Sequence, residues 1–230
     1  MTCYTAIFGE FDDLKEPFKV SEGWDYVCYT DQDFTSGVWE IRKVPVMEWG
    51  TQKTARYYKI NTHKFIDDRY TLWVDGTFFI NCDLNEWWEE RFHEPFTTIF
   101  HPFDDCIYKD ARSCLSAGKG DPAKINQQVE LYRHLGIKKN SGLISSGILM
   151  RENTIAVKKL CTTWWQQVEA WSSRDQIAFG YAQHKHPGVH KSIKWDYTKE
   201  KEFIHVPHKN RPWREARKRE LEIMYGIKRK

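Results

Sequence analysis

The sequence predicts an α/β domain, a mixed but mostly parallel sheet flanked by helices, and three observations predict it. Short apolar runs closed by Gly or Asp alternate with helix-length segments over most of the chain. At 230 residues, 40% hydrophobic and 15% aromatic, the chain is long enough to bury a sizeable core. No linker, repeat or low-complexity run divides it, so one domain is expected over residues 1–213, followed by a basic helical tail over 214–230.

The elements follow in order. "CYTAIFG" (3–9), "DYVCYTD" (25–31) and "WEIRKVPV" (39–46) read as strands. "GTQKTARYYKINTHKF" (50–65) contains no proline and reads as one helix, and "YTLWVDGTFFI" (70–80) as the next strand. "DLNEWWEERF" (83–92) opens on Asp83 with Glu86 three residues later, the pattern of a capped helix. "TTIFHPF" (97–103) reads as a strand or extended edge. "DPAKINQQVELYRHLG" (121–136) carries an Asp cap, Pro at the first helical position and a closing Gly. "GLISSGILMREN" (142–153) is a strand interrupted by Ser-Ser-Gly, and "IAVKKLCTTWWQQVEAW" (155–171) an amphipathic helix. "SRDQIAFGYAQH" (173–184) begins another helix, capped by Ser172 or Ser173. In each Trp pair, Trp87-Trp88 and Trp164-Trp165, one ring is expected in the core and its neighbour over an edge, which also leaves an aromatic platform for a ligand open.

Composition narrows the function classes. The formal charge is +3, but the last twenty residues hold eight Lys and Arg against three Glu, so the remainder is slightly acidic. Such a tail is a solvated terminal helix or a surface that attracts an anionic acceptor or a membrane face. Six cysteines at irregular spacing, with no CxxC pair, point to reduced and mostly buried thiols, hence to a reducing, cytoplasmic setting. The first residues turn polar too early for a signal peptide, and no apolar run approaches membrane-spanning length. His184, His186 and His190 lie around a Pro187-Gly188 turn with no Cys or acid at ligand spacing, which argues against zinc.

The strand at 70–80 resists a purely structural reading, because it carries Asp75-Gly76-Thr77 in its middle. A carboxylate among Leu, Trp, Val and Phe needs a partner, since an isolated buried charge is costly. At the carboxyl end of a strand in such a sheet it would face a ligand, with Gly76 allowing close approach. Asp-Gly is equally a hairpin signal, so the local pattern leaves both readings open. A transferase acting on a nucleotide sugar needs such a carboxylate, because a hard divalent cation on its diphosphate takes oxygen ligands, water and occasionally imidazole.

The run "KTARYYKINTHKFIDDRYTLWVDGTFFI" resembles the glycosyltransferase-like family long filed as domain of unknown function 616, whose plant members are linked to wall polysaccharides. The matching residues are Arg56, Lys59, His63, Trp73, Asp75 and Gly76. The wider layout is similar to the retaining glycosyltransferase family 8, with its GT-A fold. The family's order of motifs appears here as Asp75-Gly76-Thr77, Ser145-Ser146-Gly147, Asp175-Gln176 and "HVPHKNRPW" from His205 to Trp213. The resemblance spans most of residues 1–213 and implies a GT-A-like nucleotide-diphospho-sugar transferase.

The resemblance also implies roles for individual residues. Asp75, Thr77 and His205 would hold Mn²⁺ (or Mg²⁺), with Thr77 standing where the second Asp of the family's DxD would be. His208, in place of a family glycine, and Arg211, in place of a lysine, would meet phosphate. Arg56, Lys59, His63, Asp75, Gly76, Ser145, Ser146 and Gly147 would contact the donor, and Phe8, Gly9 and Asp31 would seat its base. Asp175 and Gln176 would stand at the reacting sugar or acceptor hydroxyl. The expected partners are a nucleoside-diphosphate sugar, a UDP-sugar first, and a glycan or other hydroxyl acceptor. Two rivals remain: a non-catalytic carbohydrate- or nucleotide-binding module that lost its second Asp, and a transferase that glycosylates modified nucleic-acid bases through the basic tail. A nucleotidyltransferase needs more carboxylates than this strand end supplies.

Overall fold

The computed structural model describes residues 1–209, 215, 216 and 219–221. Its main sheet has seven strands in the order β3-β2-β1-β4-β7-β6-β8. These are β1 (Thr2–Ile7), β2 (Asp25–Thr30), β3 (Glu40–Lys43), β4 (Tyr70–Val74), β6 (Phe96–Phe100), β7 (Ile144–Glu152) and β8 (His190–Ile193). The pairings β3-β2, β2-β1, β1-β4 and β6-β8 are parallel, whereas β7 runs antiparallel to both neighbours. The expected mixed, mostly parallel sheet is therefore the one observed.

The strand expected over 70–80 is two strands. Asp75-Gly76-Thr77 ends β4, and the chain leaves the main sheet for β5 (Phe78–Ile80), which pairs with β9 (Phe203–His205) in a separate ribbon. The chain does turn here, with Phe78 N donating to Asp75 O at 2.9 Å, but neither the hairpin nor the continuous strand is formed, since β5 pairs with the distant β9 and not with β4. The Ser-Ser-Gly interruption is a bulge: Thr98 faces Leu149 while Ile99 already faces Ser145, so residues 146–148 stand out of register.

Helices α1 (Gly50–Ile60), α2 (Leu84–Arg91), α3 (Ile107–Ser116), α4 (Pro122–His134), α5 (Ile155–Ala170) and α6 (Asp175–Lys185) cover the sheet. Two caps are as the sequence implies: Asp83 accepts from Asn85 N at 2.9 Å, and Asp121 accepts from Ala123 and Lys124 ahead of α4. Other expectations need correction. Helix α6 has Arg174 at its cap position with no side-chain bond, while Ser172 donates to Gln128 and Ser173 to Gln52. Helix α1 stops at Ile60 and continues only as a 3-10 turn, Thr62–Lys64. Trp164 and Trp165 are both buried, whereas Trp87 is buried and Trp88 lies half-exposed against Phe92, as one core ring and one edge ring. Helix α3, β8 and β9 have no counterpart in the sequence reading.

The core lies on both faces of the sheet. One face packs Tyr4, Val27, Trp73 and Leu149 against α1, α5 and α6; the other packs Cys3, Leu72, Ile148 and Met150 against α2 and the ribbon. All six cysteines are free, and all but Cys82 are buried. Among the described residues no helix is long and apolar enough to cross a membrane. The expected domain end at 213 and most of the basic tail lie outside the described residues. Of the tail, Leu221 is buried against Ile204 and Val206.

Candidate active site

Parallel strands deliver their carboxyl ends to one edge of the sheet, and the antiparallel β7 delivers its amino end there. Phe8-Gly9 follow β1, Asp31 follows β2, Asp75-Gly76-Thr77 follow β4, and Ser145-Ser146-Gly147 open β7. Two bonds tie these segments: Gly9 N donates to Asp31 Oδ1 at 2.9 Å, and Asp75 N donates to Gly147 O at 2.8 Å. Gly147 is required for that approach, since a methyl group there would lie 2.8 Å from the Phe78 ring.

The centre is a buried polar network. Lys59 of α1, 2% exposed, donates to Asp175 Oδ2 at 2.6 Å and to Ser146 Oγ at 2.9 Å. Ser146 Oγ also donates to Asp175 Oδ2, and Arg56 Nε stands 3.7 Å from Asp175 Oδ1. Helix side chains lean toward the amino end, so Lys59 in the last turn of α1 reaches back to the site edge. Asp175 sits in the first turn of α6, 2% exposed, and Gln176 donates to Ile144 O at 2.7 Å.

The electrostatics follow. Burial pushes Asp175 up, but Lys59 and Arg56 outweigh it and hold its carboxyl well below the usual range. Asp75 is half-buried, and burial there is likewise outweighed by Lys59, Arg56 and His208. Lys59 is lowered, because desolvation exceeds the attraction of Asp175 and Asp75. The edge is thus a pair of ionised carboxylates interleaved with the cations Lys59 and Arg56, with the His208 imidazole in range of Asp75.

Not every expected residue joins it. His63 lies beyond the end of α1, lining a small cavity with Thr71, Arg151 and Asn153 at the opposite edge of the sheet. The spacing of four from Lys59 fails as a donor-site argument because the helix ends at Ile60 and the 3-10 turn rotates His63 away. Burial, with Lys64, Arg151 and Lys158, pushes His63 down to about 4. Asp175 does not stand open to a sugar, because both of its oxygens are engaged by Lys59, Ser146 and Arg56. Arg211 lies outside the described residues.

The two expected imidazoles have different surroundings. His205 is in β9, its ring 5.3 Å from Phe78 and 5.5 Å from Tyr197. His208 is the one whose charge acts on Asp75, and its Nδ1 lies 2.7 Å from Asp12 Oδ2. Thr77 N and Oγ1 both donate to Asp75 Oδ1 at 3.3 Å. Among the described residues no group of three or more His, Cys, Asp and Glu side chains converges for a metal. His186 instead bonds Thr163, and burial pushes His190 down to about 4 between Phe96 and Phe179.

The resemblance places the loop "FGEFDD" at the donor's base, but neither Asp12 within it nor Lys15 is singled out by the sequence. Lys15 Nζ donates to Gly76 O, placing the amino-terminal loop on the Asp75 turn. The run "FDDLK" offered two adjacent acids and a lysine, but nothing in it pointed to residues 76 or 208.

An α/β sheet with its polar network at the strand carboxyl ends is an architecture that glycosyltransferases share. The fold is similar to that of the bifunctional glycosyltransferase WbbM, with TM-score 0.51, 10% identity, and coverage of 84% of this chain and 38% of that one. Mouse xyloside xylosyltransferase 1 also aligns, with TM-score 0.48 and 9% identity over 83% of this chain and 85% of that one. The chain belongs to the TOD1/MUCI70 glycosyltransferase-like domain family, whose model matches residues 1–208. It is 24% identical over 214 residues to a protein from Arabidopsis thaliana named "Probable hexosyltransferase MUCI70", covering 79% of this chain. The alignment spans 36% of that relative's length.

Proposed function

We propose that this chain is a glycosyltransferase that moves a sugar from a nucleoside-diphosphate sugar, a UDP-sugar first, to an acceptor hydroxyl. The observation that carries this reading is the convergence of Asp75, the Ser146–Asp175–Lys59 network and Arg56 at the strand carboxyl ends, in a chain of this family. Arg56, about a quarter exposed, is the cation of the network able to meet the donor's phosphates as the leaving group gains charge. Lys59 contributes its field from beneath, and Asp175 holds Lys59 and Ser146 in place for the sugar's hydroxyls. In this reading Asp175 positions Lys59 and Ser146 and touches no substrate.

The ligand chemistry fits a cation that arrives on the diphosphate better than one caged by the protein. Asp75 is one carboxylate with a hydroxyl neighbour, and Mg²⁺ or Mn²⁺ bound to phosphates commonly takes only one or two carboxylates. Such a cation, Mn²⁺ or Mg²⁺, would neutralise the departing diphosphate, with Asp75 as its protein carboxylate and Thr77 Oγ1 alongside. The resemblance to family 8 makes retention of anomeric configuration the expected outcome.

The test is a screen of nucleotide sugars for thermal stabilisation and for Mn²⁺-dependent hydrolysis, repeated on Asp75→Ala. The expected result is stabilisation by one donor class and a fall in hydrolysis of about a hundredfold in the variant. A protein that no nucleotide stabilises, with or without metal, overturns the reading. Stabilisation with no turnover on any acceptor assigns the chain a binding role.

A further inference from the structure

The amino-terminal loop and the segment after β9 are fastened together on top of the Asp75 turn. Lys209 N donates to Phe11 O at 3.1 Å, Lys209 Nζ pairs with Asp13 at 2.5 Å, and His208 Nδ1 meets Asp12 Oδ2 at 2.7 Å. The loop is seated on Gly76, since a methyl group added at Gly76 would lie 3.8 Å from Asp12 Cβ, and Lys15 donates to the Gly76 carbonyl.

The two members of the Asp12–His208 pair differ in exposure. The Asp12 side chain is 7% exposed and its Oδ1 is buried with no hydrogen-bond partner, so the imidazole is its one described side-chain partner. The His208 side chain is 46% exposed. A buried carboxylate that accepts from one ring nitrogen fixes which nitrogen carries the proton and how the ring is turned. With Nδ1–H committed to Asp12, Nε2 has no partner among the described residues. His208 lies within electrostatic range of Asp75, where the reading above places the donor's diphosphate.

We propose that Asp12 is a positioning residue: it orients the His208 imidazole so that Nε2 meets the diphosphate of the donor beside Asp75. The inference rests on the nucleoside-diphosphate reading above and adds a residue to it. A protonated Nε2 donates a charge-assisted bond to a phosphate oxygen, and the diphosphate's own charge favours that protonation.

The experiment measures the affinity of UDP and of GDP for the wild type, Asp12→Ala, His208→Ala, the double variant and Asp13→Ala, together with the long-range proton–nitrogen spectrum of histidine-labelled protein. The expected wild-type spectrum has His208 protonated at Nδ1, and Asp12→Ala relaxes it to a tautomer mixture. Asp12→Ala and His208→Ala each weaken diphosphate binding about tenfold, and the double variant is no worse than either. Asp13→Ala, which breaks the neighbouring Lys209 pair, leaves affinity within about twofold. Melting temperatures of the ligand-free variants establish that each is folded. Wild-type binding untouched by Asp12→Ala, additive losses in the double variant, or an equal loss in Asp13→Ala overturns the inference and leaves the functional reading standing. A wild type that binds neither diphosphate overturns both.

Discussion

Lys59 and Arg151 are buried to the same degree, 2% and 1% exposed, and they touch: Arg151 Nη2 donates to the backbone carbonyl of Lys59 at 2.8 Å. Their surroundings are opposite. Lys59 faces the carboxyl ends of the strands and is matched by Asp175, with Asp75 in range. Arg151 faces the other edge and forms no ion pair with a carboxylate among the described residues. It donates to the last carbonyls of α1, Lys59 O and Ile60 O, and to Tyr4 Oη, which itself donates to Lys59 O. Those carbonyls are the negative end of the helix dipole and have no partner within the helix. The difference teaches that burial of a cation does not mark a site. Lys59 is tied to ionisable groups that a ligand can rearrange, whereas Arg151 caps the helix that carries Lys59.

The sharpest way to break this comparison is Asp175→Asn, which strands Lys59 with no carboxylate in contact. The variant is expected to lose about 3–5 kcal/mol in urea unfolding and to lose donor binding as well. Replacing both partners, Lys59→Met with Asp175→Leu, is expected to recover most of that stability, because it removes the two desolvated charges together. Donor binding stays lost, so stability and function separate in one double variant. Arg151→Met is expected to cost about 2 kcal/mol by leaving buried carbonyls unsatisfied, with donor affinity unchanged within about twofold. Loss of donor affinity in Arg151→Met would erase the distinction. Tyr4→Phe removes one link of the same cap and should cost about 1 kcal/mol, again without a binding effect.

Acid sharpens the contrast further. Asp175 and Asp75 have folded-state values below their ordinary ones, so the unfolded chain binds protons first as pH falls. Their stabilisation is complete above the unfolded carboxylate value of about 4 and is lost as pH drops below it. Unfolding free energies followed from pH 7 downward should decline in the wild type and decline less in Asp175→Asn. Arg151→Met should parallel the wild type.

Much of this was legible in the chain. The alternation of apolar runs with capped segments gives the sheet and its main helices, since burial and capping are local properties of sequence. Asp75 and Ser146 stood out as polar residues in apolar strands, which need partners wherever the chain goes, whereas Lys59 and Asp175 were singled out through the resemblance to a known family. His63 misled because a spacing of four holds only inside an unbroken helix, and the stop at Ile60 was not marked by Gly or Pro. Strand β9 and the division of residues 70–80 were invisible because strand pairing between segments so far apart along the chain leaves no periodic trace.

By itself, then, the sequence determined the layered fold and the class of its polar edge, because hydrophobic period, caps and strand ends are short-range features. Tertiary structure alone decided which of those charges face one another. It turned Asp175 inward onto Lys59, assigned Arg151 to the end of α1, and brought Asp12 to His208 across 196 residues. Those choices depend on distances through space, where a few ångströms in a poorly solvated interior decide whether a charge is paired or stranded.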